Sequence, residues 1–200
     1  MTDDILQGQT HLVFDNIVAP TFANNIETQF LNPYFPWYVS RTLLTVKQHE
    51  VEQAKQDFDN IQEYLAFIHV FHSNDSGSTV KNSDFCNMAE DLFRAALHNL
   101  NISSAELLRC KANFQTQMSN KNKESYNTPH VDNTIPHYTM IYYVNDSDGD
   151  TFLFDNEYKE IARVTPKKGR LLVFNGQTLH AGSNPYVNDY RMVINFNFRL

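Results

Sequence analysis

The sequence predicts a mainly β chain of the α+β kind, with a mixed first half and then an antiparallel sandwich or barrel. Three observations carry this prediction. After residue 105 the apolar residues adopt the period-two spacing of strands and keep it to residue 200. Turn-forming runs (NDSDGD, PKKG and GSNP) cut that half into short segments. Tyr and Phe, at 10 and 15 residues, are abundant, and both favour strands.

In chain order, HLVFDNIV (11–18) reads as a first strand. PTFANNIETQFLN (20–32) spaces Phe22, Ile26 and Phe30 for a helix. NPYFPWYVSR (32–41) is broken by prolines and reads as a loop leading into a strand. The stretch 47–60 is charged and ambiguous, and EYLAFIHVFH (63–72) reads as a buried strand. NSDFCNMAEDLFRAALHNLN (82–101) predicts a helix capped by Ser83, with an apolar stripe of Phe85, Met88, Leu92, Ala95 and Ala96. Strands follow at 107–117, 137–145, 151–155, 161–165, 169–175, 178–182 and 191–200. Helices before and strands after are the pattern of a β-core with supporting helices.

Two hundred residues, 42% hydrophobic and 13% aromatic, suffice for one domain with its own core. With no repeats and no Pro/Gly linker, the chain is expected to be a single domain over 1–200, in which 1–104 supports a catalytic β-core over 105–200. A net charge of −7 argues against a nucleic-acid partner. No run reaches the roughly 18 apolar residues of a membrane span, so no membrane partner is expected. The acidic N-terminus MTDDILQGQT does not read as a signal peptide. Cys86 and Cys110 are too few for a disulfide framework and read as buried, reduced thiols, which points to a cytoplasmic setting. Composition leaves the oligomeric state open.

The segment NTPHVDNTIP (127–136) places His130 and Asp132 two residues apart. On extended backbone their side chains share one side and can grip one ion. About 0.6 such pairs arise by chance in a chain of this composition, so context decides. His180 lies downstream at a strand end. Two His and one carboxylate make the facial triad of non-haem iron sites, which keeps coordination positions open; a structural zinc site closes them with a fourth protein ligand. On the last strand, Met192, Ile194, Phe196 and Phe198 share one face, and Arg191, Val193, Asn195, Asn197 and Arg199 the other. If that polar face looks into a pocket, Arg191 offers a fork of donors to a carboxylate.

HVD at 130–132, His180, and Arg191 after ten intervening residues resemble the H-x-D…H…R pattern of 2-oxoglutarate/Fe(II)-dependent oxygenases. TMIYYVNDSDGDTFLF (139–154) and PKKGRLLVFNGQTLHAG (166–182) resemble the prolyl-4-hydroxylase branch, especially its short bacterial and phage members. FPWY (35–38) is similar more loosely. The resemblance implies a double-stranded β-helix (jelly-roll, cupin-like) fold. It implies Fe(II) on His130, Asp132 and His180, and 2-oxoglutarate and O2 as co-substrates. Arg191 would hold the distal carboxylate of 2-oxoglutarate, helped by Tyr143, which shares its strand face with Ile141 and Thr139. Asn195 and Asn197, on the face of Arg191, join these co-substrate candidates, and Tyr142 should point away. The family's Gly-Gly before the following strand is Gly149-Asp150 here. A carboxylate at 132 favours hydroxylation over halogenation.

The implied reaction hydroxylates a C–H bond, with a prolyl residue of a peptide or protein as first candidate and Trp37 or Tyr38 as substrate contacts. A free amino acid or small metabolite is the alternative. A cupin-like metal protein with no use for Arg191 and a non-enzymatic β-sandwich binding module are the rival classes. His69 and His72 read as structural residues on opposite strand faces. His137 also reads as structural, with the substrate cleft as its alternative place. Lys111, Asn113 and Gln115 share a face and read as solvated. PKKGR reads as a charged turn.

Overall fold

The computed structural model describes residues 5–40, 66–73 and 80–200. The stretch 47–60 and residues 63–65 of the expected strand at 63–72 lie outside the described residues. The described elements are β1 (His11–Phe14), α1 (Pro20–Phe30), β2 (Tyr38–Ser40), β3 (Ala66–Ser73), β4 (Val80–Lys81), α2 (Cys86–Asn99), β5 (Glu106–Thr116), β6 (Tyr138–Tyr143), β7 (Thr151–Phe154), β8 (Glu160–Val164), β9 (Leu171–Asn175), β10 (Leu179–Gly182) and β11 (Tyr190–Arg199). Every segment expected as a strand after residue 105 is one, to within two residues at each end.

The strands form two antiparallel sheets. The larger runs β1-β9-β6-β11-β5-β3-β2, with β4 on β3, and the smaller is β10-β7-β8. Ile141, Tyr143, Leu172, Phe174 and Val193 of the larger sheet pack against Leu153 and Val164 of the smaller one. The opposite face of the larger sheet carries the main core, where Met192, Ile194, Phe196 and Phe198 meet the helices. This is the double-stranded β-helix with helices buttressing one sheet. The helix-side face is hydrophobic, and the face between the sheets carries the polar row of β11.

Helix α1 begins with Pro20 in its first turn, where a missing N–H costs nothing, and buries Ala23, Ile26 and Phe30. Helix α2 departs from expectation in two ways. Phe85 occupies the cap position, while Ser83 Oγ accepts the Phe85 N–H at 3.0 Å, outside the helix. Its buried face is also rotated, running through Cys86, Ala89, Leu92, Phe93, Ala96 and Leu97. The small Cys86 and Ala89 let the helix lie close to β3, and Cys86 Sγ reaches the Phe71 carbonyl at 3.0 Å. Both cysteines are free and buried, as expected.

His69 and His72 do not lie on opposite faces. A register shift between Val70 and His72 sets His69 opposite Ala112 and His72 opposite Cys110, on one face of β5. Both are nearly inaccessible and structural. His69 bridges the Pro36 carbonyl at 2.9 Å and Ser83 Oγ at 2.6 Å, and His72 faces Glu90 at 3.3 Å. Trp37 is likewise structural rather than a free contact. Its indole N–H donates to the Phe30 carbonyl at 3.0 Å, and its ring packs against Phe30, Phe35 and Phe114 on the helix side. Among the described residues no helix is long and apolar enough to cross a membrane.

Candidate metal centre and co-substrate cleft

His130 and His180 meet because their backbones pair. His130 N donates to His180 O at 3.0 Å and His180 N to His130 O at 2.9 Å, an isolated antiparallel bridge that ties the 127–136 segment to β10. Directly opposed residues put their side chains on the same side, and the two ring centroids lie 4.6 Å apart. Asp132 arrives on that side by the period of two. One ligand atom from each of His130, Asp132 and His180 lies within 4.8 Å of the others.

The surroundings prepare these three side chains as ligands. Nδ1 of His130 faces the Thr128 carbonyl at 3.0 Å, and Nδ1 of His180 faces the Thr178 carbonyl at 3.1 Å. A carbonyl only accepts, so each Nδ1 carries the proton and each Nε2 keeps its lone pair. Both Nε2 atoms point at Asp132, at 3.8 and 3.6 Å. Burial, repulsion from His180 and the nearby Lys111 push His130 down to about 3 against the pull of Asp132, so it is neutral near pH 7. Burial works against the Asp132 carboxylate. Its neighbours His180 and His130 and the Asn197 amide outweigh it and hold the pKa well below the usual range. Asn195 Nδ2 and Asn197 Nδ2 both donate to Asp132 Oδ2 at 2.9 Å, and Asn197 also reaches Thr139 Oγ1 at 3.1 Å. Two imidazoles with Nε2 turned inward and a carboxylate, each oriented by a fixed partner and with no fourth ligand in the group among the described residues, suit a ferrous ion with exchangeable positions.

Arg191 occupies the same cleft, 3% exposed. Its Nε donates to the Gly149 carbonyl at 2.6 Å, Nη2 to Thr151 Oγ1 at 2.9 Å, and Nη1 to Gln115 Oε1. The guanidinium stands 5.8 Å from the Tyr143 ring, and Tyr143 donates to Thr151 Oγ1 at 2.8 Å. Burial raises the Tyr143 hydroxyl to about 12, so it stays protonated. Gly149, the residue retained from the expected Gly-Gly, has no room for a side chain. A Cβ there would lie 2.5 Å from the Ser183 carbonyl and 2.9 Å from Arg191 Cδ.

The structure thus brings His130, Asp132, His180, Arg191, Ile141 and Asn195 to one cleft. Tyr143 stands behind Arg191 and Thr151, and Thr139 and Asn197 stand behind Asp132. His137 is buried apart from the cleft, with Nδ1 on the Ile135 carbonyl at 2.8 Å. Lys111, Asn113 and Gln115 line the cleft and are buried, which corrects the solvated reading. The second sheet covers that face, a fact the alternation along β5 does not carry. Three participants were missed outright. Thr151 and the Gly149 carbonyl hold Arg191, and Arg109 stands 4.0 Å from Asp132 Oδ1. Arg109 was findable, since it shares its strand phase with Lys111.

Residues 115–199 match the family model described as the 2OG-Fe(II) oxygenase superfamily. The C-terminal part of the chain is thus similar to that superfamily. Its members use Fe(II), 2-oxoglutarate and O2, and the ligand set described above fits that chemistry. Among solved structures, a 2OG-Fe(II) oxygenase family oxidoreductase from Burkholderia pseudomallei superposes with a TM-score of 0.70 at 10% identity, covering 97% of this chain and 87% of its own. A Trichoplax adhaerens prolyl hydroxylase, solved with a hypoxia inducible factor peptide fragment, gives 0.65 at 16% identity, covering 100% and 87%. A Pseudomonas putida prolyl-4-hydroxylase gives 0.58 at 14% identity, covering 98% and 96%. At these identities the likeness speaks for the shared fold. No curated protein sequence matches.

Two predictions arise here. Tyr143→Phe should raise the 2-oxoglutarate requirement a few-fold, on the order of one neutral hydrogen bond. Tyr142→Phe should leave it unchanged and be neutral or stabilising in thermal unfolding, because the Tyr142 hydroxyl is buried on the helix side without a partner among the described residues. Sensitivity at Tyr142 instead would place the wrong tyrosine in the cleft. Separately, a Cβ at Gly176 would lie 2.2 Å from His137 Nε2. Gly176→Ala should therefore destabilise by about 1–3 kcal/mol in denaturant melts, and His137→Ala in the same chain should recover part of the loss.

Proposed function

We propose that the chain, acting as one unit over 1–200 with its catalytic core in 105–200, is an Fe(II)- and 2-oxoglutarate-dependent hydroxylase of a prolyl residue in a peptide or protein. The observation that carries the reading is an open His130–Asp132–His180 ligand set and a buried Arg191 in one cleft. His130 Nε2, His180 Nε2 and Asp132 would hold the iron, with Asn195 and Asn197 fixing the carboxylate. The iron supplies oxidative decarboxylation: 2-oxoglutarate, O2 and a substrate C–H give succinate, CO2 and an alcohol. Arg191, held by Gly149, Gln115 and Thr151, is oriented to pair with the distal carboxylate of 2-oxoglutarate. Burial between the sheets keeps water from the reacting atoms. The prolyl choice rests on motif resemblance to the prolyl-4-hydroxylase branch and on its presence among the fold's relatives, an argument by analogy.

The test is mass spectrometry of proline-containing peptides incubated with the protein, Fe(II) and 2-oxoglutarate. A gain of one oxygen on proline supports the reading. Turnover with a free small molecule and with no peptide rejects the prolyl substrate.

A further inference from the structure

The cleft contains a charge that the mechanism above does not use. Lys111 lies on β5 opposite Asn195 of β11, the residue that donates to Asp132, so it stands at the metal end of the cleft. Arg191 pairs with Gln115, four residues along β5. Lys111 is 4% exposed, it lines the cleft, and no hydrogen-bond acceptor meets its ammonium among the described residues. Burial is the main force pushing it down to about 8, with Arg109 adding repulsion and Asp132 opposing it, so it remains largely charged near pH 7. Placing an ammonium in a largely buried cleft is costly, and a bound anion there would offset the cost. Arg109, by contrast, already faces Asp132.

The charge balance sharpens this. Among the described residues the charged side chains lining the cleft are the cationic Lys111 and Arg191 and the anionic Asp132. A ferrous ion with a 2-oxoglutarate dianion adds zero net charge. Asp132 and Arg191 cancel, and Lys111 is left over.

We propose that Lys111 is a carboxylate-binding residue at the metal end of the cleft, separate from the Arg191 subsite. The carboxylate has two possible sources: the 2-oxo acid end of the co-substrate, or the substrate beside the carbon that is oxidised. The proposal rests on the reading of the cleft as a 2-oxoglutarate site.

Calorimetry on protein loaded with Mn(II), a redox-silent stand-in, separates the cases. The probes are 2-oxoglutarate and 2-oxopentanoate, which lacks the distal carboxylate. With 2-oxoglutarate saturating, L-proline is then compared with L-prolinamide, and a Glu-Pro peptide with its Gln-Pro counterpart. If the co-substrate is the source, Lys111→Met weakens both 2-oxo acids by the same factor, roughly 10- to 100-fold, and Lys111→Arg recovers part of it. Arg191→Met should weaken 2-oxoglutarate alone. If the substrate is the source, 2-oxo acid affinity is unchanged, and the preference for a carboxylate over its amide disappears in Lys111→Met. Unchanged 2-oxo acid affinity with no charge preference in the unsubstituted protein overturns the proposal, as does a loss of melting temperature with every affinity intact. Failure of the unsubstituted protein to bind 2-oxoglutarate at all would instead reject the functional reading beneath it.

Discussion

Asp132→Ala is expected to abolish Fe(II) binding and turnover while the chain stays folded. Asp132 is the only anionic ligand of the set and is held by Asn195 and Asn197. Removing it takes the acceptor from Asn195 Nδ2, at a cost of about 1–3 kcal/mol, while Asn197 Nδ2 keeps Thr139 Oγ1. It also removes a buried charge, which offsets part of that cost. Circular dichroism should therefore show retained strand structure, and anaerobic calorimetry no specific iron uptake. His130→Ala and His180→Ala should behave alike, because with three protein ligands no fourth compensates. Weaker effects are expected one layer out: Asn197→Ala should lower iron affinity roughly 10- to 100-fold by freeing the carboxylate to rotate. Unchanged iron affinity in all three ligand variants would contradict the assignment.

Arg191→Ala is expected to raise the 2-oxoglutarate requirement by a factor on the order of 10 to 1000, with Fe(II) affinity little changed. A charge-assisted pair to a buried carboxylate is worth about 1.5–3 kcal/mol or more. Arg191→Lys should lose less, keeping the charge but not the fork that engages Gly149, Gln115 and Thr151 together. A control matters, since Arg191→Ala also removes those three hydrogen bonds and lowers stability. The co-substrate effect must persist in titrations well below the melting transition. An unchanged 2-oxoglutarate requirement in a folded Arg191→Ala protein would remove Arg191 from the co-substrate site.

The strands after residue 105 were legible because each alternates cleanly and each boundary carries turn chemistry. The same period placed Asp132 beside His130, and Tyr143 rather than Tyr142 on the inner face. What local pattern cannot carry is what covers a strand. Lys111, Asn113 and Gln115 alternate like surface residues, and only the β10-β7-β8 sheet makes that face interior. Nor does a β-bulge show in alternation, and the extra residue near Phe71 is what moved His72 to the face of His69. In α2 the apolar stripe was read one position off because Cys86 and Ala89, small and weakly hydrophobic, mark the closest approach to β3. Trp37 looked like a binding aromatic by composition. Its indole N–H and ring are both satisfied within the main core, which sequence neighbours alone do not reveal.

The central claim is that one cleft couples the His130–Asp132–His180 centre to 2-oxoglutarate. Its most direct test is succinate release from 2-oxoglutarate in air, measured in the chelator-treated protein with and without added Fe(II), beside Asp132→Ala. The expected result is succinate formed only with Fe(II) and O2 together and absent in Asp132→Ala. Release that is indifferent to Fe(II), or undiminished in Asp132→Ala, would contradict it.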